Sequence, residues 1–289
     1  MEIWGVLNVT PDSFSDGGQY LALEAALARA KQMLAEGADV IDVGGASSRP
    51  RGATYGAGAE DVPVETEIAR VVPVVAVLAR ELGARVSIDT TRGATAEAAL
   101  RAGAKIVNDV SMGRDDALLA VVARHDAELV LMHTRGDGSV DSGGRYDDVV
   151  RDVLRELGAS RERALAAGIA PDRVWLDPGL GFAKTAEQSA ELLARTHELT
   201  GLGARVLVGA SRKSFLGVLA EHRGERPRPD GRLAASLVAA LVAVREGAHA
   251  VRVHDVEETR QALDVHFALR PSDHRVFDAS SSSRAPRHA

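Results

Sequence analysis

The sequence predicts an α/β protein, a (β/α)8 TIM barrel with long loops after strands 1 and 2. Eight short apolar runs, rich in Val, Ile and Leu, each stop at a polar residue or a glycine, and each precedes a stretch with helical spacing. The 289 residues suit one such barrel of about 250 residues plus a tail. In this fold the active site lies at the C-terminal strand ends, so the eight stop residues are expected to meet at one mouth.

The strand candidates alternate poorly between apolar and polar residues, which is typical of parallel strands covered on both faces. In chain order they are Glu2–Asn8, Val40–Gly44, Arg85–Asp89, Lys105–Asp109, Glu128–His133, Val174–Asp177, Arg205–Gly209 and Ala250–His254. Their stop residues are Asn8, Gly45, Asp89, Asn108, His133, Asp177, Ser211 and His254. No linker divides the units, so residues 1–270 are predicted to form a single domain.

Segments rich in Ala, Leu and Glu separate the strands and predict helices. The clearest are Leu21–Glu36, Val64–Leu82, Asp147–Ala167, Ala186–Glu198 and Leu233–Val244. Glycine commonly follows a helix because it adopts the left-handed conformation there without strain. Five glycines stand at such positions: Gly37, Gly83, Gly103, Gly168 and Gly247.

Three stretches break this regularity. The loop Val9–Gly18 after strand 1 and the Gly- and Pro-rich loop Ala46–Pro63 after strand 2 are too long for simple turns. Loops of this length in a compact barrel are typical of functional lids or of disorder. The tail 271–289, with the serine run Ser280–Ser283, has the composition of a disordered end.

Composition narrows the class of protein. A net charge of −6 argues against nucleic acid as the main partner, which usually needs a basic face. The absence of cysteine excludes disulfides, thiolate zinc sites and a cysteine nucleophile, and it permits the cytoplasmic location that we expect. No signal peptide is visible, and the most apolar helix, Leu233–Val244, is too short to span a bilayer.

Strands 7 and 8 predict an anion site. Alternation places Arg252 and His254 on one face, toward the mouth, where charged groups are costly unless they meet an anion. Arg212 and Lys213 precede a helix, and many barrels bind phosphate beside these strands. A phosphate or diphosphate is therefore favoured, although solvated basic residues in a loop would give the same pattern.

Strands 3, 4 and 6 predict a reader of a flat heterocycle. Asp89, Asn108 and Asp177 stop these strands, and two carboxylates with an amide suit a ring edge rich in N–H donors, as in a guanine or a pterin. Lys213 would supply a donor to a ring carbonyl. Asp89 and Asp177 are also ordinary turn residues, so either one alone is a weak signal.

Other candidate chemistry is limited. Asn8 stops strand 1 and has the amide oxygen for one Mg²⁺ ligand, with phosphate and water completing the shell. The sequence has no HExxH, phosphate-loop or GxGxxG motif, and no Ser-His-acid order is convincing. His133 and His125 are interpreted as structural, while Met132 would pack against a ring or fill the core.

An ordered set of motifs resembles the dihydropteroate synthases. The first is the stretch Gly5–Gly18, which reads GVLNVTPDSFSDGG. The others, in family order, are Asp42–Gly45, Ser47–Pro50, Ser87–Thr90, Asn108–Val110, Asp177–Gly179, Gly181–Phe182, Ser211–Lys213 and Arg252–Asp255. They span nearly the whole predicted barrel, and the ordered set is far more specific than any single motif.

The resemblance implies condensation of 6-hydroxymethyl-7,8-dihydropterin diphosphate with p-aminobenzoate to give 7,8-dihydropteroate and diphosphate in folate biosynthesis. It implies that the pterin is bound by Asp89, Asn108, Met132, Asp177 and Lys213. It implies that the diphosphate and its Mg²⁺ are held by Asn8, Arg252 and His254. It places around p-aminobenzoate, the compound that sulfonamides mimic, Ser48, Arg49, Phe182, Lys213 and Ser214. The implied lids contain Asp12, Phe14, Asp16, Arg49 and Pro50, and the implied catalytic residues are Lys213, Arg252 and Asp89.

The chain departs from the family's pattern in the second loop. Ala46 stands where the family usually has Glu, Ser48 stands where it has Thr, and the loop looks longer through Arg51–Gly58. Ser48 keeps a hydroxyl, whereas Ala46 removes a charge from the implied lid. Since the matched pterin and diphosphate residues are all present, catalysis is expected to persist. Dimerisation is implied by the resemblance, and the apolar helix Leu233–Val244 is compatible with it.

Three alternatives remain at this stage. A catalytically weak or inactive pterin-binding paralogue would bind the pterin diphosphate without turnover, and Ala46 is the feature that favours it. A related methyltransferase using a methylated pterin would not need the diphosphate residues Arg252 and His254. A sugar-phosphate barrel would use the anion side but would not need the ring-reading residues Asp89, Asn108 and Asp177.

Overall fold

The computed structural model describes residues 1–9, 19–46, 62–136 and 145–269. Within these ranges eight strands pair in parallel, each with the next along the chain, and the eighth returns to the first to close a barrel. In order they are β1 (Glu2–Asn8), β2 (Val40–Gly44), β3 (Val86–Asp89), β4 (Ile106–Asp109), β5 (Glu128–Met132), β6 (Val174–Asp177), β7 (Arg205–Val208) and β8 (Ala250–Val253). The predicted (β/α)8 barrel is confirmed, and no predicted strand end is wrong by more than one residue.

Helices cover the outside of this barrel. In chain order they are α1 (Gln19–Ala35), α2 (Val64–Arg80), α3 (Gly93–Ala102), α4 (Asp116–Arg124), α5 (Val149–Ala166), α6 (Ala186–Ala194), α7 (His197–Thr200), α8 (Ser214–Leu219), α9 (Leu233–Arg245) and α10 (Val256–Ala268). Among the described residues, no helix is long and apolar enough to cross a membrane. The five glycines predicted to follow helices all have positive φ.

Side chains fix several helix starts. Thr185 and Gln188 form a capping box at α6, in which each side chain accepts a hydrogen bond from the other residue's backbone N–H. Asp115 and Asp148 cap α4 and α5 in the same way, with one acceptor each. These caps orient the helices that follow the loops of the mouth.

One helix prediction is wrong in its extent. The segment Ala186–Glu198 was predicted as continuous, but it divides into α6 and α7 at Thr196. The fully buried Thr196 hydroxyl donates back to the carbonyl oxygens of Leu192 and Leu193, at 3.3 and 2.9 Å. Such back-bonding competes with the regular helical bond and accounts for the break.

A layer of paired tryptophans and charges fills the N-terminal end of the barrel. Trp4 and Trp175 are buried and meet edge to face, with ring centroids 5.3 Å apart. Glu128 accepts hydrogen bonds from Trp175, Arg85 and Arg205, and Arg205 also lies over the Trp175 ring at 4.0 Å. The interior beneath the mouth is therefore packed protein rather than a pore, so ligands would enter at the C-terminal end.

Candidate active site

Alternation along the strands selects the side chains of the mouth. Trp4, Val40, Ile106 and Trp175 pack together inside the barrel, so the residues two and four positions further along their strands also face inward. The register pairs Asn8 with Gly44, Asp89 with Asn108 and Met132 with Asp177, which places these residues at a common level. The inward-facing polar set of the mouth is Asn8, Asp42, Asp89, Asn108, Asp177, Arg252 and His254.

The mouth contains buried acceptor atoms that accept no hydrogen bond. Among the described residues, three buried carboxylate or amide oxygens lack a hydrogen-bond partner at this end: Oδ2 of Asp177, Oδ1 of Asn108 and Oδ1 of Asp42. The hydroxyl of Ser87, which is paired in register with Asp42, also lacks one. Buried polar atoms are normally satisfied, so a cluster of unpaired acceptors indicates a place for a ligand that donates hydrogen bonds. The other oxygen of Asp177 accepts from the backbone N–H of Gly179 at 2.7 Å, which holds the carboxylate in place.

Asp42 is a site residue that the sequence analysis missed. It is buried on β2, and its Oδ2 accepts from Asn108 Nδ2 at 3.2 Å and from Arg252 Nη1 at 3.4 Å. The first contact turns the amide of Asn108 so that its oxygen faces the mouth as an acceptor. The sequence did contain a signal, because Val40, Asp42 and Gly44 share the inward face, but only strand-end residues were considered.

Arg252 occupies the centre of the mouth between carboxylates. Its Nη1 and Nη2 lie 3.4 Å from Asp42 and 3.7 Å from Asp177, and its side chain is 10% exposed. Gly209 leaves the space for it, since a Cβ there would come within 3.3 Å of the guanidinium. The sequence argument that this charge requires an anionic ligand is therefore wrong in its reason: the protein's own carboxylates compensate it.

Asp89 lies at the end of β3, and its carboxyl is the most perturbed acid of the mouth. Burial, and next the charge of Asp42, raise the pKa of Asp89 to about 7, while the charge of Arg252 opposes the shift. An ionised carboxylate at this position is costly in the folded protein. A ligand that donates N–H groups or carries positive charge would relieve that cost.

Lys213 connects two sides of the mouth. Its Nζ donates to the carbonyl oxygen of Leu180 at 2.7 Å and lies 4.8 Å from the centre of the Phe182 ring. Burial lowers the pKa of Lys213 to about 8, although the charge of Asp177 opposes this. Lys213 therefore lies beside Phe182, and the next residue, Ser214, begins α8.

Arg212 does not join Lys213 in the mouth. Its guanidinium forms a two-point pair with the carboxylate of Asp255, and its backbone has a φ of +60°. This pairing leaves the guanidinium of Arg212 compensated by the neighbouring carboxylate. The anion prediction therefore depends on Lys213, Arg252 and His254.

His254 is fixed by Ser211. The Ser211 hydroxyl accepts from the backbone N–H of His254 at 3.2 Å and lies 3.1 Å from the imidazole Nδ1. When this hydroxyl donates to Nδ1, the proton of the neutral ring resides on Nε2 as a donor. Burial, and next the charge of Arg212, lower the pKa of His254 to about 4.

Asn8 is the exposed member of the set and the predicted Mg²⁺ ligand. Its Oδ1 and the Oδ2 of Asp89 lie 3.5 and 3.7 Å from the Cβ position that Gly44 leaves empty. In the described part of the chain, no three acidic, His or Cys side chains form a metal-binding cluster. One amide oxygen and a nearby carboxylate suit an ion such as Mg²⁺, which keeps most of its ligands as phosphate and water.

Two predictions near strand 5 have different outcomes. Met132 is fully buried and faces inward beside Asp177, as alternation requires. The expectation that His133 reaches the mouth as a stop residue is wrong, because it is the next residue and points outward. Its imidazole lies against Glu156 of α5 and Lys184, in agreement with the interpretation that it is structural.

The lid predictions fall outside the described residues. They concern Asp12, Phe14, Asp16, Ser48, Arg49 and Pro50. Ala46, which stands where the resembled family usually has Glu, is described and is half-buried just beyond β2. The backbone beside it is held by Arg70, whose Nη1 donates to the carbonyl oxygen of Gly45 at 3.0 Å.

Known proteins with this sequence pattern and fold are consistent with the geometry. The family described as pterin binding enzyme matches residues 4–254. A Mycobacterium leprae dihydropteroate synthase is 46% identical over 269 residues, which cover 92% of each chain. The solved structure of Xanthomonas albilineans dihydropteroate synthase with 4-aminobenzoic acid is 41% identical, with a TM-score of 0.84 and coverage of 94% of this chain and 93% of that one.

A third comparison is the Yersinia pestis dihydropteroate synthase in complex with a sulfonamide drug. It is 39% identical, has a TM-score of 0.84 and covers 94% of both chains. The family match extends over almost the whole barrel, from β1 to the end of β8. It contains every residue of the mouth, from Asn8 to His254. The chain therefore belongs to the pterin-binding enzyme family, and within it to the dihydropteroate synthases.

Proposed function

We propose that the mouth residues described above carry out the reaction of this transferase, with Lys213, Arg252 and Asp89 as its catalytic residues. The reaction joins 6-hydroxymethyl-7,8-dihydropterin diphosphate to p-aminobenzoate and releases diphosphate. The observation that carries the assignment of roles is the set of three unpaired buried acceptors on Asp42, Asn108 and Asp177. They offer the acceptors that the donor-rich edge of a pterin requires.

The pterin lies against this acceptor cluster. Asp177 accepts from its amino and ring N–H groups, Asn108 presents the oxygen that Asp42 orients, and Lys213 donates to the ring carbonyl. Asp89, which lies beside Asn108 on the adjacent strand, accepts a further N–H. Met132, buried beside Asp177, provides an apolar surface for the ring.

The diphosphate lies on the side of β1 and β8. Arg252 and the Nε2–H of His254 donate to its oxygens, and the amide oxygen of Asn8 would be one ligand of a bound Mg²⁺ ion. When bound, the ion neutralises negative charge on the leaving group. Arg252 also donates to this negative charge from within the protein. Its contacts to Asp42 and Asp177 are long, at 3.4 and 3.7 Å, so its N–H groups remain able to bind the diphosphate.

The residues act mainly by stabilising charge. The bond between the pterin methylene carbon and a diphosphate oxygen breaks with its electron pair on oxygen, and the amine nitrogen forms the new bond to carbon and releases one proton. Arg252 and His254 stabilise the departing anion, while Asp89 and Asp177 stabilise the electron-poor pterin. The aromatic amine is already a nucleophile, which agrees with the lack of a triad in the sequence.

The p-aminobenzoate pocket lies beside Phe182, Lys213 and Ser214. The Phe182 ring is half-buried and Lys213 lies over it, so the pair offers a flat surface with a cation for a carboxylated aromatic ring. Ser48 and Arg49 of the second loop would complete this pocket. Sulfonamides, which one solved relative binds, would compete with p-aminobenzoate here.

Diphosphate release by the purified protein tests the reaction. The protein is supplied with Mg²⁺ and the pterin diphosphate, with and without p-aminobenzoate, and dihydropteroate is measured in parallel. Release that needs p-aminobenzoate and equals the product formed is the expected result. Tight pterin binding without turnover would instead support an inactive paralogue, and an Ala46→Glu variant that restores turnover would identify the missing acid as the cause.

A homodimer and a cytoplasmic location complete the proposal. The apolar helix α9 leaves Val238 61% exposed, and Val265 of α10 is 53% exposed, so these helices have apolar surface to cover. Light scattering on the purified protein tests the dimer. The cysteine-free chain needs no oxidising compartment, which agrees with a cytoplasmic enzyme.

A further inference from the structure

A buried lysine outside the proposed machinery supports the loop between β6 and α6. Lys184 is 3% exposed, and its Nζ lies within 3.0 Å of three acceptors. These are His133 Nδ1 and the carbonyl oxygen of Phe182, both at 2.9 Å, and the carbonyl oxygen of Gly179 at 3.0 Å. Three acceptors match the three donors of an ammonium group, which is the arrangement that a buried lysine needs.

A hydrogen-bonded chain extends from Lys184 to the protein surface. Nε2 of His133 lies 3.1 Å from a carboxylate oxygen of Glu156 on α5, and Arg135 pairs with the same carboxylate. Burial, and next the charge of Lys184, lower the pKa of His133 to about 4, so the ring is neutral. A neutral ring with its proton on Nε2 donates to Glu156 and leaves Nδ1 to accept from Lys184.

The opposite side of the same loop faces the mouth. Lys213 donates to the carbonyl oxygen of Leu180 at 2.7 Å and lies 4.8 Å from the Phe182 ring. Lys184 contacts the carbonyl oxygens of Gly179 and Phe182. The two lysines therefore bind different carbonyl oxygens of the same short segment. The loop 178–183 is therefore held from behind by a buried ammonium and from the front by a residue of the mouth.

The loop has little room to adjust. Gly179 has a φ of +64°, and a Cβ on it would lie 1.9 Å from the carbonyl oxygen of His133. Only glycine allows this approach, so the loop packs directly on the end of β5. A change in the contacts behind the loop would be transmitted to Leu180 and Phe182 rather than absorbed.

We propose that Lys184, held by His133 and Glu156, is a positioning residue that sets the Leu180 carbonyl and the Phe182 ring against Lys213 and so shapes the pocket of the second substrate. The inference rests on the roles proposed above for Phe182 and Lys213. Lys184 itself touches neither substrate. Its effect should fall on p-aminobenzoate more than on the pterin, because the residues for the pterin diphosphate, Asp89, Asn108 and Arg252, are held by other contacts. A smaller effect on the pterin is expected through Asp177, whose carboxylate accepts from the backbone N–H of Gly179, and through Lys213.

The first test is Lys184→Met, which keeps the length of the side chain and removes its three donors. We expect the KM for p-aminobenzoate to rise at least tenfold and kcat to fall, while the Kd of the pterin diphosphate, measured by calorimetry, changes less than threefold. If Lys184 only stabilises the fold, the variant will have a lower Tm but unchanged constants for both substrates at temperatures well below that Tm. That result would overturn the proposal. Equal losses for both substrates would overturn it as well.

A second set of variants covers the case in which Lys184→Met does not fold. His133→Asn keeps an acceptor near the position of Nδ1, whereas His133→Ala removes it, so the asparagine variant should retain the lower KM for p-aminobenzoate. Glu156→Gln should raise that KM in the same direction but less. Asp152→Asn is the matched control, because Asp152 contacts Arg135 at 3.1 Å without contacting His133, and it should leave the KM unchanged. Indistinguishable asparagine and alanine variants would contradict the proposal.

Parallel measurements separate this inference from the proposed function. If the unaltered protein forms no dihydropteroate, or if Lys213→Ala has normal kinetics, the proposed roles fail first. If Lys213→Ala is impaired while the Lys184 and His133 variants are not, the proposed function stands and the positioning role alone is refuted.

Discussion

The sharpest prediction concerns Asp177→Asn. In the present structure Oδ1 of Asp177 accepts from Gly179 N–H at 2.7 Å, and the buried Oδ2 accepts no hydrogen bond but forms an ion pair with Arg252 Nη2 at 3.7 Å. The variant will keep its oxygen toward Gly179, because only an oxygen can accept there. Its NH₂ group then replaces Oδ2 and points at the N–H groups of the pterin and at the guanidinium of Arg252.

The size of the effect follows from this exchange. A hydrogen bond to a charged acceptor contributes about 1.5–3 kcal/mol, and an unpaired buried donor costs about 1–3 kcal/mol more. Together they predict a loss of about 2.5–6 kcal/mol in pterin binding, or roughly 60- to 20,000-fold in Kd. Calorimetry with the pterin alcohol measures it without interference from the diphosphate.

A matched control separates the site effect from the loss of a buried carboxylate. Asp109 ends strand β4, is also fully buried, and accepts from the backbone N–H groups of Ser111 and Gly113 outside the mouth. Asp109→Asn should reduce stability and leave the pterin affinity unchanged. If Asp177→Asn is folded and binds the pterin within threefold of the unaltered protein, Asp177 is not the ring reader.

Three further predictions concern the charges of the mouth. Lys213→Ala should lower pterin affinity and turnover together, since Lys213 is proposed to touch both substrates, and unchanged kinetics would exclude that role. Arg252→Ala should weaken binding of the diphosphate by about 1.5–3 kcal/mol but that of the pterin alcohol less, so calorimetry showing equal losses would contradict the anion assignment. Because the pKa of Asp89 is raised to about 7, above its value in the unfolded chain, its contribution to stability is largest at low pH and is lost as pH rises toward 7. Asp89→Asn should therefore gain stability relative to the unaltered protein between about pH 4 and 7 in denaturant titrations, with the difference constant above pH 7. A difference that is constant over the whole range would show that the shift is absent.

The fold was predictable because its signals are local. Each strand is a short apolar run between turn residues, and each precedes a segment with helical spacing, so the elements could be placed from neighbouring residues alone. The break between α6 and α7 was missed because it depends on the hydroxyl of Thr196 bonding back into a helix. Nothing in the spacing of apolar residues reports such a bond.

Much of the site was also predictable, but from position rather than from partners. Asp89, Asn108 and Asp177 were found as strand-end residues, and the barrel brings them together. The partners of Arg252 were not found, because Asp42 lies 210 residues earlier in the chain and no local pattern joins the two. The sequence argument therefore assigned the compensation of the Arg252 charge to a bound anion, whereas Asp42 and Asp177 already compensate it in the protein.

A period of two along each strand would have made a better filter than the strand end alone. Counting from Trp175 and Val130, which face inward, the rule selects Asp177 and Met132 and assigns His133 to the outer face. Counting from Val40, it selects Asp42. His133, which faces outward, instead contacts Lys184, and Lys184 donates to the carbonyl oxygen of Phe182. His133 therefore lies outside the mouth but contacts, through Lys184, the loop that is proposed to border the second substrate.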